Sequence, residues 1–261
     1  MFDFHLHTHV SFDGRGTGDA VVQAAVKAGL REICFTDHRD YDPLDPNHKL
    51  WFDLADYEKE YDHLEVPGLT IRRGFEFGML PDNREQFQKD LQLRNWDFVI
   101  GSVHFIDGQD VYYPQFWEGK TYEYAIARSF EDTLACVKNH DGFDVLGHLT
   151  YIGKSTANPV KKPILYKDYR EMADEIMKIL VDKGIGMEFN TSGVDSCGEY
   201  LPGVEYLRRF KELGGQIVTV GSDAHNADRV GQYCREACGI VQDIFGYVCT
   251  FAGRKPQFHK L

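Results

Sequence analysis

What most constrains this chain is a rhythm. Short apolar runs alternate with amphipathic stretches about seven times, and six of the seven runs end in histidine, aspartate–histidine or glutamate. The runs are Phe2 to His7, EICFT before Asp37-His38, LTIRRGFEF carrying Glu76, DFVIGSV before His104, FDVLG before His148, GIGMEFN with Glu188 and Asn190, and QIVTVGS before Asp223-Ala224-His225. Helical periodicity fills the intervals. It is seen in GDAVVQAAVKAG, which closes on Gly29, and over residues 53–64, 82–94, 121–139, 167–183, 201–213 and 226–238.

Strands joined through helices are expected to be parallel, because parallel neighbours need a crossover connection. Alternation alone does not choose between an open sheet and a closed barrel. The strand ends do. An open sheet gathers functional groups at its switch point, whereas a barrel draws them from the C-terminal ends of many strands onto one face. Six chemically similar strand ends therefore predict α/β architecture with barrel-like closure. No linker or low-complexity segment divides the chain, so residues 1–261 are expected to form one domain.

Charge limits the function. With 41 acidic and 29 basic residues the formal charge is -12, which lacks the basic footprint that a long nucleic acid requires. A small anionic substrate remains compatible, because bound cations invert the local field. No run approaches the roughly 18–20 apolar residues of a membrane span, and the first ten residues do not read as a signal peptide. The six cysteines are scattered, as expected of buried reduced thiols in a cytoplasmic protein; Cys234 and Cys238 share a helix face.

His5 and His7 lie at i and i+2 of the first strand, with Phe2, Phe4 and Leu6 expected on the opposite face from Asp3, His5 and His7. Their Cα atoms would be roughly 6.5–7 Å apart, close enough for two imidazoles to reach one metal ion. Each other strand end has an ordinary explanation: Asp37 as a turn cap, His104 and His148 as bonded core histidines, Glu76 paired with Arg72 or Arg73. Together they call for one explanation, a shared metal site. His48, His63, His140 and His259 are expected on the surface, and His9 continues the His5/His7 face unless the turn has already begun.

In this order, HLHTHVSFDG, TDH, the strand-borne Glu76, SVH, GHL and GSDAH resemble the polymerase-and-histidinol-phosphatase (PHP) superfamily of metal-dependent phosphoesterases, over residues 5–225. Length, FDVLGHL, EFNTSG and the RKP at 254–256 are most similar to its histidinol-phosphate phosphatase branch. The resemblance implies a distorted (β/α)7 TIM-like barrel holding two or three divalent ions. It implies His5, His7, Glu76 and Asp223 at one, Glu76, His104 and His148 at a second, and Asp13, His38 and His225 at a third. Three positions depart from the branch. Asp13 stands where histidine is frequent, Thr150 where an acidic residue is frequent, and Val194-Asp195 where an arginine follows NTSG.

The mixed nitrogen and oxygen ligands suit zinc, manganese or iron. The implied reaction is hydrolysis of a phosphate monoester, histidinol phosphate first among candidates, by a hydroxide bridging two ions, with Glu76, Asp223 and His225 as the catalytic groups. Arg39, Lys154 and Arg229 are candidates for binding the phosphate. The aromatic stretch at 107–123, with Tyr112, Tyr113, Phe116 and Trp117, reads either as a lid or as a packing cluster. Alternatives are another small phosphorylated metabolite or short nucleotide as substrate, an amidohydrolase-type hydrolase, and a non-catalytic metal-binding module.

Overall fold

The computed structural model describes residues 1–261. Its frame is seven parallel strands standing side by side in chain order: β1 Phe2–Leu6, β2 Glu32–Phe35, β3 Thr70–Gly78, β4 Phe98–Ser102, β5 Val145–Leu146, β6 Gly186–Asn190 and β7 Val218–Gly221. The last meets the first through a parallel bridge between Leu6 and Ala224, so the sheet nearly closes into a barrel. The His7 amide donates to Ala224 O at 2.9 Å and the Asp223 amide to His5 O at 2.8 Å across this seam.

A main helix follows each strand: α1 Gly18–Ala28, α2 Leu54–Tyr61, α3 Arg84–Leu91, α4 Tyr122–Asn139, α5 Arg170–Lys183, α6 Val204–Glu212 and α7 Cys234–Phe245, with single helical turns at Pro114–Trp117 and Val194–Cys197 besides. Helix α1 shows why. Thr17 accepts a hydrogen bond from the Ala20 amide at the start. Val21, Val22 and Ala25 turn to the core, and Gly29 ends the helix at φ +71°, where a side chain would be strained. All six cysteines are buried and free. No helix is long and apolar enough to cross a membrane.

Four features depart from the sequence expectations. Strand β1 carries a register shift between Asp3 and Leu6, so simple alternation fails there. Asp3 accepts from the amides of Ser222 and Gly231, both at 2.8 Å, and is not among the partners of Glu76. Beyond β2 the chain pairs again with β3 as His38–Tyr41 and folds back on Lys49–Trp51. The helix read at 226–238 is helical only from Cys234, and its first part holds just a short turn at Ala227–Arg229. Tyr233, at φ +58°, precedes α7, which runs on to Phe245. Finally, an antiparallel hairpin, Val248–Ala252 with Lys255–His259, was not anticipated.

That hairpin covers the N-terminal ends of the strands, opposite the histidines. The rings of Phe251 and Phe98 lie 5.0 Å apart, and those of His259 and Phe2 4.7 Å apart. The Gly253 amide donates to Asp97 at 3.0 Å, and Arg254 Nε donates to Asp144 at 2.5 Å.

Burial pushes the Asp144 carboxyl up to about 6 from an ordinary 3.8. Folding therefore binds its proton more tightly, and this contribution to stability, full below the unfolded value, is lost as pH rises through about 6. In Arg254→Leu the buried carboxylate loses its cation. The expected cost is about 1–3 kcal/mol at pH 8, below that of a fully buried pair because Arg254 keeps solvent contact. It should shrink at pH 5, where the carboxyl carries its proton. Urea midpoints of both proteins at the two pH values check this; equal losses would mean that Asp144 is not the cause.

Candidate active site

Glu76, near the end of β3, is fully buried, and its expected structural partners are elsewhere. Arg72 pairs with Glu32 at 2.7 Å, and Arg73 donates to Tyr61 O at 2.7 Å. Imidazoles surround the glutamate instead. Three approach Oε2: His5 Nε2 and His38 Nδ1 at 3.1 Å, and His7 Nε2 at 3.5 Å. Two approach Oε1: His148 Nε2 at 2.9 Å and His104 Nε2 at 3.3 Å. Ser102 Oγ donates to Oε1 at 2.6 Å. Asp223 Oδ1 closes the group, 3.4 Å from His7 and 3.7 Å from His5. Asp13 lies 3.2 Å from His225 Nε2 and 3.6 Å from His38 Nε2.

Several of these atoms are buried without any hydrogen-bond partner: His5 Nε2, His7 Nε2, His38 Nδ1 and Glu76 Oε2. Polar atoms are seldom abandoned in a protein interior, so their convergence calls for a further partner. Potential ligand atoms gather within 4.8 Å in four overlapping groups: His5/His7/Asp223, His5/Glu76/His148, His7/His38/His225 and His38/Asp40/His104. Nitrogen and carboxylate donors without thiolate fit divalent metal ions.

The supporting residues strengthen that fit. Glu188 accepts from His5 Nδ1 at 2.6 Å, and Asp40 from His104 Nδ1 at 2.8 Å. Ser11 Oγ donates to Asp37 at 2.9 Å, so it can accept the proton of His7 Nδ1 at 3.1 Å. His225 Nδ1 faces the carbonyl of Asp223 at 3.0 Å. In all four rings the outer nitrogen faces an acceptor, which turns Nε2 towards the cluster, where a bound cation would take its lone pair. Asp40 and Ser11 received no role in the sequence reading, and Asp37 proves to be the turn cap, accepting from the amides of Thr8 and Ser11, rather than one of the ligand groups. Asp40 carried a usable signal, since it shares a strand face with His38.

Electrostatics separates the rings. Burial alone would push Glu76 up, but His5, His104 and His38 outweigh it and hold the carboxyl well below the usual carboxylate range. Burial lowers His7 well below 6.5, helped by His225 and His38, and lowers His148 too, so both tend to be neutral. Burial would also lower His38, yet Asp13 and Glu76 raise it to about 9.

The cluster lies at the floor of a cavity of about 500 Å³. Lys154 lines it, forms an ion pair with Asp223 and donates to Ser192 at 3.0 Å. Arg229 also lines it, paired with Asp195 at 3.0 Å. Arg39 does not. It is buried on the other face of its strand, bonded to Phe52 O at 2.8 Å and Asp90 at 2.9 Å, so its assignment to phosphate is corrected.

The aromatic stretch divides. Phe116 and Trp117 join the main core, while half-exposed Tyr112 and Tyr113 line the cavity. His9 falls in the turn and is exposed. His140, expected on the surface, is instead fully buried between Cys136 O and Asn83.

Comparison with known proteins agrees with this geometry. The PHP domain family model matches residues 3–192. A histidinol-phosphatase of Lactococcus lactis is 30% identical, with 99% of this chain and 97% of the relative covered. A Clostridium acetobutylicum protein named "Probable histidinol-phosphatase" is also 30% identical, over 93% of each chain. A crystal structure of histidinol phosphate phosphatase from Lactococcus lactis, complexed with zinc, L-histidinol and phosphate, superposes with a TM-score of 0.86 at 29% identity, covering 98% of both chains.

Proposed function

The chain belongs to the PHP domain family, and from that premise we propose that it is a metal-dependent phosphatase that cleaves histidinol phosphate to histidinol and phosphate, a step of histidine biosynthesis. We take residues 1–261 to work as one unit. The observation that carries the reading is the carboxylate of Glu76 ringed by five imidazoles, with buried nitrogen and oxygen atoms left partnerless.

His5, His7, Glu76 and Asp223 would hold one ion. Glu76, His104 and His148 would hold a second, and Asp13, His38 and His225 a third. Zinc, manganese or iron bound there supplies Lewis acidity, neutralising phosphoryl oxygens and lowering the pKa of water. The chain's own groups do the rest. Lys154 Nζ, with Ser192 Oγ beside it, offers the phosphate a charge-assisted hydrogen bond at the cavity floor. Arg229 adds positive charge near the mouth. His225 Nδ1 lies 3.5 Å from Asp223 Oδ1. Proton transfer to the leaving oxygen would fall to His225 Nε2 only while it is not committed to the third ion, with the carbonyl of Asp223 holding the ring through Nδ1.

The test is to purify the protein without chelator, count its metals, and follow phosphate release from histidinol phosphate beside other monoesters and a diester. Two or three ions per chain and a clear preference for histidinol phosphate are expected. Release from other esters alone would discard the substrate and keep the centre. Absence of metal would remove the centre itself.

A further inference from the structure

The cavity holds four aspartates near its metal cluster, and three of them are engaged. Asp13 lies against His38 and His225, Asp40 bonds His104, and Asp223 pairs with Lys154. Asp110 is different. It forms no ion pair within the chain, and its one side-chain hydrogen bond is Oδ1 accepting from the Tyr112 amide at 2.8 Å. The other carboxylate oxygen has no partner, and the residue lines the cavity.

Its position is well fixed. A two-residue antiparallel ladder pairs Phe105 with Asp110 directly after His104, and the Val111 amide donates back to His104 O at 3.2 Å. Tyr112 and Tyr113, 40% and 50% exposed, follow at once with their rings edge to face. A half-buried carboxylate that shares a cavity wall with two tyrosines suits an organic cation, through charge pairing and cation–π attraction. The cavity's basic residues, Arg15, Lys154 and Arg229, sit on other loops, after β1, β5 and β7. Charge of both signs therefore lines one cavity, with Asp110 on the segment after β4 and the basic residues on the others.

We propose that Asp110, with Tyr112 and Tyr113, binds a protonated amine or imidazole on the leaving alcohol and makes the enzyme select amine-bearing phosphate monoesters. This deepens the phosphatase reading and rests on it. The ordinary alternative is that Asp110 only closes its own turn. Asp110→Asn separates the two, because the amide oxygen can still accept from Tyr112 while the charge is gone.

The experiment measures kcat/KM of wild type and Asp110→Asn for histidinol phosphate, phosphoethanolamine and glycerol 3-phosphate. The ratio of each amine-bearing ester to glycerol phosphate is expected to fall about 10- to 100-fold, mainly through KM, the range of a hydrogen bond to a charged group. Asp110→Glu should recover part of the ratio. An equal loss on all three esters, or a ratio within twofold of wild type, overturns the inference. So does a wild type that cleaves no amine-bearing ester better than glycerol phosphate. If phosphoethanolamine is preferred but histidinol phosphate is not cleaved, the earlier substrate fails, and the Asp110 ratio is still read on phosphoethanolamine.

Discussion

Glu76→Gln should lose phosphate release by at least about three orders of magnitude in kcat, together with most of its bound metal. The substitution keeps the shape of the side chain and an oxygen that can accept from Ser102. It removes the negative charge that five imidazoles share. Loss of one ligand charge weakens both ions that Glu76 would bridge, so the variant is expected to fail at metal loading as well as at turnover. Metal counts, phosphate release and a thermal midpoint on the same preparation separate this from misfolding. A folded Glu76→Gln protein with full metal content and near-normal turnover would place the chemistry elsewhere.

Asp37→Ala is expected to cost about 3–5 kcal/mol of stability, because it leaves several buried donors without an acceptor, each worth about 1–3 kcal/mol. Asp37 is fully buried and has no cationic partner. Its Oδ1 accepts from the Thr8 amide at 2.9 Å, the Ser11 amide at 3.2 Å and Ser11 Oγ at 2.9 Å, and its Oδ2 from Tyr61 at 2.5 Å. Ser11 Oγ in turn accepts from the His38 amide at 3.0 Å and holds His7. Asp37 is thus a positioning residue for two rings it does not touch with its own oxygens. Metal affinity should drop about 10- to 100-fold, the usual penalty for losing such support. Denaturant midpoints and metal titration of refolded protein check both numbers. A variant that loses stability while binding metal normally would reduce Asp37 to a loop anchor.

The barrel was legible because each level of the sequence agreed. Apolar runs, helical intervals and chemically similar strand ends recur in step, and parallel strands have few ways to be joined. The histidines were legible for the same reason, since a strand end fixes where a side chain can go. The residues behind them were not. Ser11 and Asp37 act through hydrogen bonds between segments that only the closed barrel brings together. Asp3 shows the limit of alternation: one extra residue in β1 breaks the period and turns Asp3 to the amides of Ser222 and Gly231. Arg39 fails as a phosphate ligand because it follows His38 on one strand, and neighbours on a strand point to opposite faces. The hairpin at 248–259 escaped because its second strand, KPQFH, is polar and mostly exposed, with little apolar pattern to read.

That hairpin also bears on how the protein is made. Synthesis runs from N- to C-terminus, so all seven barrel strands emerge before Val248 does. Until then Phe2 and Phe98 lack their covering rings, and Asp144 lacks the cation that Arg254 brings. A nascent chain stalled near residue 245 would expose an aromatic floor beneath an otherwise assembled barrel, the kind of surface that chaperones hold and that self-association exploits.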